Sequence, residues 1–217
     1  MINFKWNGID FSITDIGGGK LGDDIPRHAH AKGSYELHFI TGGNGKLITD
    51  DKEYELKSGD FFITGENIYH QQIADKEHPV EDVFLMLQAN HTAKATAVGS
   101  VFLSNRFCFL SDFDIAYAIA ILKEYRQKLP DFKSAVAGLT MKTLTDITRR
   151  MLPEEFTDTM NDSNLNDRRF VLIEQAFLYS DNLTLTKLAN TIGLCERQTQ
   201  RLLKKYYGKS FREIKKA

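Results

Sequence analysis

The sequence contains little of what secreted and membrane-spanning proteins depend on. Its 217 residues include two cysteines, four prolines and one tryptophan. Cys108 and Cys195 lie far apart in regions of different character, which argues against a disulfide framework. No apolar run reaches the roughly 18 residues that would span a bilayer. The first residues, MINFKWNGIDF, lack the pattern of a signal peptide. We therefore expect a cytoplasmic protein with no membrane partner.

The chain also lacks a strong net charge, because its 28 basic and 29 acidic residues nearly cancel. The balance hides a segregation of charge along the chain. Residues 1–110 carry 10 basic and 15 acidic groups, whereas residues 182–217 carry nine basic and two acidic groups, a net charge of +7. A cationic segment at one end of an otherwise acidic chain is typical of a surface that binds phosphate.

Residues 183–211, LTLTKLANTIGLCERQTQRLLKKYYGKSF, predict two short helices around a tight turn. Apolar residues in the first half recur near helical spacing, and Thr184 is a suitable N-cap. Gly193 stands where a helix ends most easily in the left-handed region. We expect the second helix over about residues 196–207. Its expected inner face consists of Thr199, Leu202, Leu203 and Tyr206.

The opposite face of this second helix is polar and basic. It carries Arg197, Gln198, Gln200, Arg201, Lys204 and Lys205. Arginine pairs with guanine edges and glutamine with adenine edges, so this face suits the major groove of DNA. A solvated amphipathic helix would have a similar pattern, but the local excess of positive charge favours DNA binding.

The run GLCERQTQRLLKKYYGKSF resembles the first helix-turn-helix of AraC-type transcription regulators, above all in its KK-x-x-GKSF ending. The resemblance implies base contacts from Arg197, Gln200 and Arg201. It implies positions nearer the DNA backbone for Lys204, Lys205 and Lys209. The sequence departs from the family at Thr199, where a buried aliphatic residue is usual, and at Cys195, where Ser or Thr is common.

AraC-type regulators normally carry two helix-turn-helix units joined by a long helix. The residues from Phe211 onward resemble the start of that helix, and the second unit is missing from the sequence. One unit makes few phosphate contacts, so we expect weak DNA binding that dimerisation partly restores.

Residues 1–110 consist of short apolar runs separated by turn signals. The runs are SYELHFITG, GKLITDDKEYEL, SGDFFITGENIYH and VEDVFLMLQ. This pattern predicts an antiparallel sandwich or a small barrel. Together with the helical segments that follow, it predicts an α+β protein.

Two motifs in this region resemble those of cupin barrels, which are double-stranded β-helices. The first is the His28-Ala29-His30 segment followed by Glu36, and the second runs from Gly59-Asp60 to His70. The resemblance covers about residues 20–90 and implies an N-terminal antiparallel β-barrel. AraC-type regulators commonly carry a cupin as their effector domain, so the two resemblances support each other.

The histidines of the cupin motifs admit three interpretations. We favour a polar pocket in which His28, His30, Glu36, His38 and His70 hydrogen-bond a small effector. Alternatively, the resemblance implies a divalent transition-metal site formed by His28, His30, Glu36 and His70, although the five residues between His30 and Glu36 slightly exceed the usual spacing. The third interpretation is that these histidines are structural. His78 and His91 are expected on the surface.

Residues 112–128 and 134–152 both show helical spacing and predict an antiparallel helix pair. The expected packing residues are Ile115, Ile119 and Leu122 in the first helix, and Leu139, Leu144, Ile147 and Met151 in the second. We divide the chain into a cupin-like domain (1–110), a helix pair for dimerisation (111–152), a linker (153–166) and the DNA-binding unit (167–217).

These features predict a transcription regulator that is not an enzyme. A small effector, such as the sugars that the resemblance implies, would bind in the cupin barrel and modulate the binding of promoter DNA by a homodimer. One alternative is a metal-dependent cupin enzyme, a dioxygenase or an isomerase. Another is a shortened sensor or antagonist that pairs with a full-length regulator.

Overall fold

The structure is a computed structural model that describes residues 1–154, 156, 165–180 and 182–215. The chain forms two compact units, Met1–Asp158 and Thr159–Ala217. The predicted linker, 153–166, falls largely outside the described residues, and its last two positions belong instead to a helix that begins at Leu165. No helix within the described ranges is long and apolar enough to cross a membrane.

The first unit contains two antiparallel sheets. The strands are β1 (Ile2–Trp6), β2 (Ile9–Lys20), β3 (Ile25–His28), β4 (Ser34–Gly42), β5 (Gly45–Thr49), β6 (Glu53–Leu56), β7 (Phe61–Gly65), β8 (His70–Ala74), β9 (Glu81–His91) and β10 (Phe107–Leu110). The larger sheet has the order β1-β2-β9-β4-β7-β10 and the smaller one β3-β8-β5-β6. The predicted combination of antiparallel strands and helices is confirmed, with the strands hydrogen-bonded as two sheets and not as one closed barrel.

Strand β4 shows how the larger sheet is built. Its side chains alternate between two faces, as the two-residue period of a strand requires. Leu37 and Phe39 are fully buried in a core that also contains helical residues. Ile40, on the opposite face, packs with Leu47 and Phe62 in a second core that includes residues of the smaller sheet. The polar side chains Glu36 and His38 share the face of Ile40 and therefore lie between the two sheets.

Three helices pack in the first unit: α1 (Ala97–Ser104), α2 (Ala116–Gln127) and α3 (Phe132–Met151). The pairing of α2 with α3 agrees with the prediction, whereas α1 was not predicted. Trp6 of β1 donates a hydrogen bond from Nε1 to Thr145 Oγ1 of α3 at 3.1 Å. The inner face of α2 was predicted wrongly at Ile119, which is 49% exposed, because the helix turns Ala118 and Ile121 into the core instead.

The described residues of the second unit form four helices: α4 (Leu165–Tyr179), α5 (Leu185–Thr191), α6 (Glu196–Tyr207) and α7 (Phe211–Lys215). Its core includes Ile173, Leu188, Leu203 and Phe211. The bounds of α6 are those expected from the sequence. Thr184 caps α5 by accepting from the backbone N–H of Lys187 at 3.2 Å.

One residue of the expected inner face of α6 lies elsewhere. Thr199 and Leu203 are fully buried, but Tyr206 is 43% exposed. Tyr206 lies in the last turn of the helix, and its ring packs edge-on against Phe170 of α4 with ring centroids 4.5 Å apart.

Candidate effector site and nucleic-acid interface

Four of the predicted site residues converge between the two sheets. His28 ends β3, His30 follows it, Glu36 lies on β4 and His70 begins β8. One ligand atom from each lies within 4.8 Å of those of the others. Glu36 Oε2 is at the centre, 2.9 Å from His30 Nε2, 3.7 Å from His70 Nε2 and 4.0 Å from His28 Nε2. We call these four residues the His–Glu cluster.

The long spacing between His30 and Glu36 does not prevent this convergence, because a tight turn takes up the additional chain. The Ser34 N–H donates to the Ala31 carbonyl at 3.1 Å, and the Gly33 N–H donates to Glu66 Oε2 at 3.1 Å. Gly33 has φ of +73°, and a Cβ there would lie 2.9 Å from the Ala89 carbonyl oxygen. Glycine is therefore required at this turn on both conformational and steric grounds.

Backbone carbonyls determine how two of the histidines present their nitrogens. His28 Nδ1 lies 2.8 Å from the Pro26 carbonyl oxygen, and His70 Nδ1 lies 3.0 Å from that of Ile68. A carbonyl only accepts, so in the neutral rings the proton resides on Nδ1 and the lone pair on Nε2. The unprotonated Nε2 atoms of His28 and His70 then lie 4.0 and 3.7 Å from Glu36 Oε2, an arrangement that a cation between them would stabilise.

The burial of the cluster also favours a cation. The His30 side chain is 7% exposed, and its Nε2, although 2.9 Å from Glu36 Oε2, is not aligned for a hydrogen bond and is left without a partner among the described residues. The Glu36 side chain is 14% exposed, whereas that of His28 is 36% exposed. The cluster therefore has one side near solvent. Its nitrogen and oxygen donors fit a divalent transition metal.

His38 occupies a different position from the other predicted ligands. Its ring is buried, with Nε2 3.2 Å from Glu36 Oε2 and Nδ1 2.7 Å from Asp82 Oδ2. It lies behind Glu36 and cannot reach a ligand on the open side of the cluster, so the expectation of direct effector contact is corrected. Asp82 was not predicted, because its partnership with His38 joins residues 44 positions apart.

The electrostatics of this region depend on the carboxylates of Glu36 and Asp82. Burial alone would raise the pKa of Glu36, but the contacts of His30, His38 and His70 outweigh burial and hold that pKa far below its ordinary value. Burial alone would lower the pKa of His38, but Asp82 and Glu36 outweigh it and raise the pKa to about 9. Glu36 is accordingly ionised and His38 is protonated at neutral pH.

Strand β7 supplies the remaining wall on this face. The sequence left open whether Phe61 and Ile63 or Phe62 and Thr64 face the cluster. The Phe62 ring stacks on His38 at 4.5 Å, and Thr64 Oγ1 lies 3.4 Å from His70 Nε2. Phe61 and Ile63 belong to the core on the helical side. His78 and His91 are exposed, as predicted.

The basic side chains of α6 are largely exposed. The exposed members of the predicted DNA-binding set are Arg197, Gln198, Arg201, Lys204, Lys205 and Lys209. Gln200 is half-buried, and its Oε1 accepts from the Phe211 N–H at 3.4 Å. Gln200 therefore lies on the flank of α6 that contacts α7, and its contact with DNA stays a prediction.

The two departures from the AraC-type pattern are accommodated locally. Thr199 is fully buried, and its Oγ1 donates to the Cys195 carbonyl at 3.0 Å. Cys195 is the N-cap of α6, and the Gln198 side chain folds back so that its Oε1 accepts from the Cys195 N–H at 3.2 Å. Gln198 thus supports the start of the helix.

Comparison with known proteins identifies the region that contains the His–Glu cluster. A family model described as "Cupin domain" matches residues 20–86. This stretch is similar to cupin domains. It contains all four residues of the cluster together with His38 and Asp82. No match was found among curated proteins.

Several solved structures are similar to the chain at low identity. A cupin protein from Bacteroides fragilis is 22% identical over 42% of this chain and 75% of that chain, with a TM-score of 0.31. An apo form of ToxT from Vibrio cholerae is 11% identical over 97% of this chain and 80% of that chain, with a TM-score of 0.44. ToxT with a bound unsaturated fatty acid is 13% identical over 97% and 78%, with a TM-score of 0.40.

Proposed function

We propose that the protein is a ligand-responsive transcription regulator of the AraC type and not an enzyme. The cupin domain is the sensor, and α6 is the helix that enters the major groove of promoter DNA. The observation that carries the proposal is the presence, in one chain, of a cation-adapted His–Glu cluster and a helix whose arginines and lysines are exposed. The cluster alone or the basic helix alone would suit many functions, whereas the two together suit a transcription regulator.

The sensor ligand is proposed to include a divalent transition-metal ion held by His28, His30, Glu36 and His70. The Nε2 lone pairs and the ionised carboxylate are the donor types that such ions prefer. When bound, the metal would supply a Lewis-acidic centre for oxygen donors of a small effector. His28, the most exposed of the four side chains, lies on the side from which such an effector would approach.

The DNA contacts are proposed to come from Arg197 and Arg201 on the bases and from Lys204, Lys205 and Lys209 on the phosphates. All five side chains are exposed. Phosphate contacts release condensed counterions, so affinity should fall steeply with salt. With these three contacts, raising salt from 50 to 200 mM should weaken binding roughly 40-fold.

Fluorescence anisotropy of a labelled duplex, titrated with the full chain at both salt concentrations, tests the proposal. We expect salt-dependent binding whose affinity changes when Co²⁺ is added. A chain that shows no salt-dependent binding to duplex DNA, with or without the metal, would contradict it.

A second candidate function is a metal-dependent cupin enzyme, and the four-residue donor set of the cluster is the observation that favours it. Metal analysis of the isolated protein, followed by assays for oxygen consumption, distinguishes the two. Stoichiometric redox-active metal with metal-dependent oxygen uptake and no DNA binding would favour the enzyme.

A further inference from the structure

His38 is held between two carboxylates in the interior of the cupin domain. Its Nε2 lies 3.2 Å from Glu36 Oε2 and its Nδ1 lies 2.7 Å from Asp82 Oδ2. The ring is 1% exposed, and the Glu36 and Asp82 side chains are 14% and 15% exposed. Each ring nitrogen thus faces a carboxylate oxygen.

The sheet determines this arrangement. Glu36 and His38 are two residues apart on β4 and share a face, and Asp82 lies on the neighbouring strand β9, opposite Ile40. The His38 ring stacks on Phe62 at 4.5 Å with an interplanar angle of 18°, and Gln72 Nε2 lies 3.4 Å from its Nε2. This packing holds the His38 ring in one orientation, with Nδ1 toward Asp82 and Nε2 toward Glu36.

The oxygen that His38 contacts is the centre of the His–Glu cluster. Oε2 of Glu36 faces His28, His30 and His70 as well as His38. A donor on one side of this oxygen restricts the carboxylate to a rotamer that leaves the other side available to a cation. Residues that hydrogen-bond a metal ligand in this way commonly change metal affinity by about 10- to 100-fold.

We propose that His38 and Asp82 are positioning residues: Asp82 orients His38, and His38 holds the Glu36 carboxylate in the geometry that binds the metal ion. This inference rests on the metal site of the proposed function. Substitution of His38 therefore tests the positioning role directly.

The experiment is a Co²⁺ titration of the metal-free full chain, followed by calorimetry and by visible absorption, which reports coordination geometry. His38→Leu removes both ring nitrogens, and we expect about 10- to 100-fold weaker Co²⁺ binding with an altered spectrum. His38→Gln retains an N–H donor and should recover part of the affinity. His78→Leu, at an exposed histidine, is the matched control and should bind as the unaltered chain does.

Asp82→Asn tests the outer member of the pair. It leaves an oxygen that accepts from His38 Nδ1 but weakens the interaction that orients the ring, so we expect a smaller loss of Co²⁺ affinity than in His38→Leu. Circular dichroism and thermal unfolding establish that each variant is folded. If His38→Leu does not fold, His38→Gln and Asp82→Asn decide the matter.

The outcomes distinguish failure of the positioning role from failure of the proposed metal site. Failure of the unaltered chain to bind Co²⁺ would overturn the metal site itself, and with it this inference. Tight binding by the unaltered chain together with equal or tighter binding by the folded position-38 variants would overturn the positioning role alone. Unchanged affinity in Asp82→Asn would remove Asp82 from the pair.

Discussion

The two units of this protein use ionisable residues in opposite ways. In the first unit, His38 and His70 are buried, and their Nε2 atoms lie 3.2 and 3.7 Å from the half-buried Glu36 carboxylate. In the second unit, Arg197 and Arg201 project from α6 into solvent. Buried groups depend on each other's exact placement, so one substitution can disable the whole site. Exposed charges act nearly independently, so each substitution should remove a similar share of a salt-sensitive affinity.

Glu36→Ala should produce the largest effect, because it removes the carboxylate that four imidazole rings share. We expect Co²⁺ affinity to fall by more than about 100-fold, beyond the range typical of residues outside the ligand set. Calorimetric titration measures this loss, with the exposed Glu55→Ala as control. A smaller loss than that caused by His38→Leu would show that the metal binds elsewhere in the protein.

Arg201→Ala should weaken DNA binding by about 1–3 kcal/mol if the arginine contacts a base, and should relax preference at one position of the site. Lys205→Ala should weaken binding uniformly across sequences and reduce the salt slope by about one. Lys123→Ala, an exposed lysine of α2, is the control. Equal effects from Lys123 and Arg201 would show that DNA contacts are not concentrated on α6.

The sequence predicted what depends on local pattern and missed what depends on tertiary packing. The residues of β4, the span of α6 and the convergence of His28, His30, Glu36 and His70 follow from periodicity and from the cupin motifs. The role of His38 does not follow, because the two-residue period of a strand specifies the face of a residue but not its depth. Asp82 was missed because its partner is distant in the chain.

Helical positions illustrate the same limit. Ile119 fits an apolar stripe as well as Ile121 does, and only packing against β2 and β9 decides which of them is buried. Gln200 fits the polar face of α6 by composition, but α7 approaches its flank and takes its side chain as a hydrogen-bond acceptor. Helix α1 has no turn-by-turn polar face, and its eight residues are too few for a clear periodic signal.

The helix pair exposes apolar residues, and these provide a surface for self-association. We propose that the protein is a homodimer and that Ile119 and Leu129, which are 49% and 53% exposed, lie in its interface. Ile119→Glu should weaken the dimer about 10-fold or more, since it places a charge against apolar surface. Sedimentation velocity over a concentration series measures this change, with Lys76→Glu, at an exposed lysine outside the helix pair, as the control. A monomeric unaltered chain would contradict the proposal.

The smallest expected effect concerns the start of α6 in the second unit, where Cys195 is a weak N-cap. Serine accepts a hydrogen bond from the first turn of a helix more effectively than a thiol does, so Cys195→Ser should stabilise the second unit by about 0.5–1 kcal/mol. Gln198 should keep its contact with the N–H of residue 195, because a serine N-cap and a glutamine three residues later form a capping box. Thermal unfolding measures the gain in stability, and anisotropy with labelled duplex checks that DNA affinity is unchanged. Equal or lower stability in the folded variant would contradict the prediction.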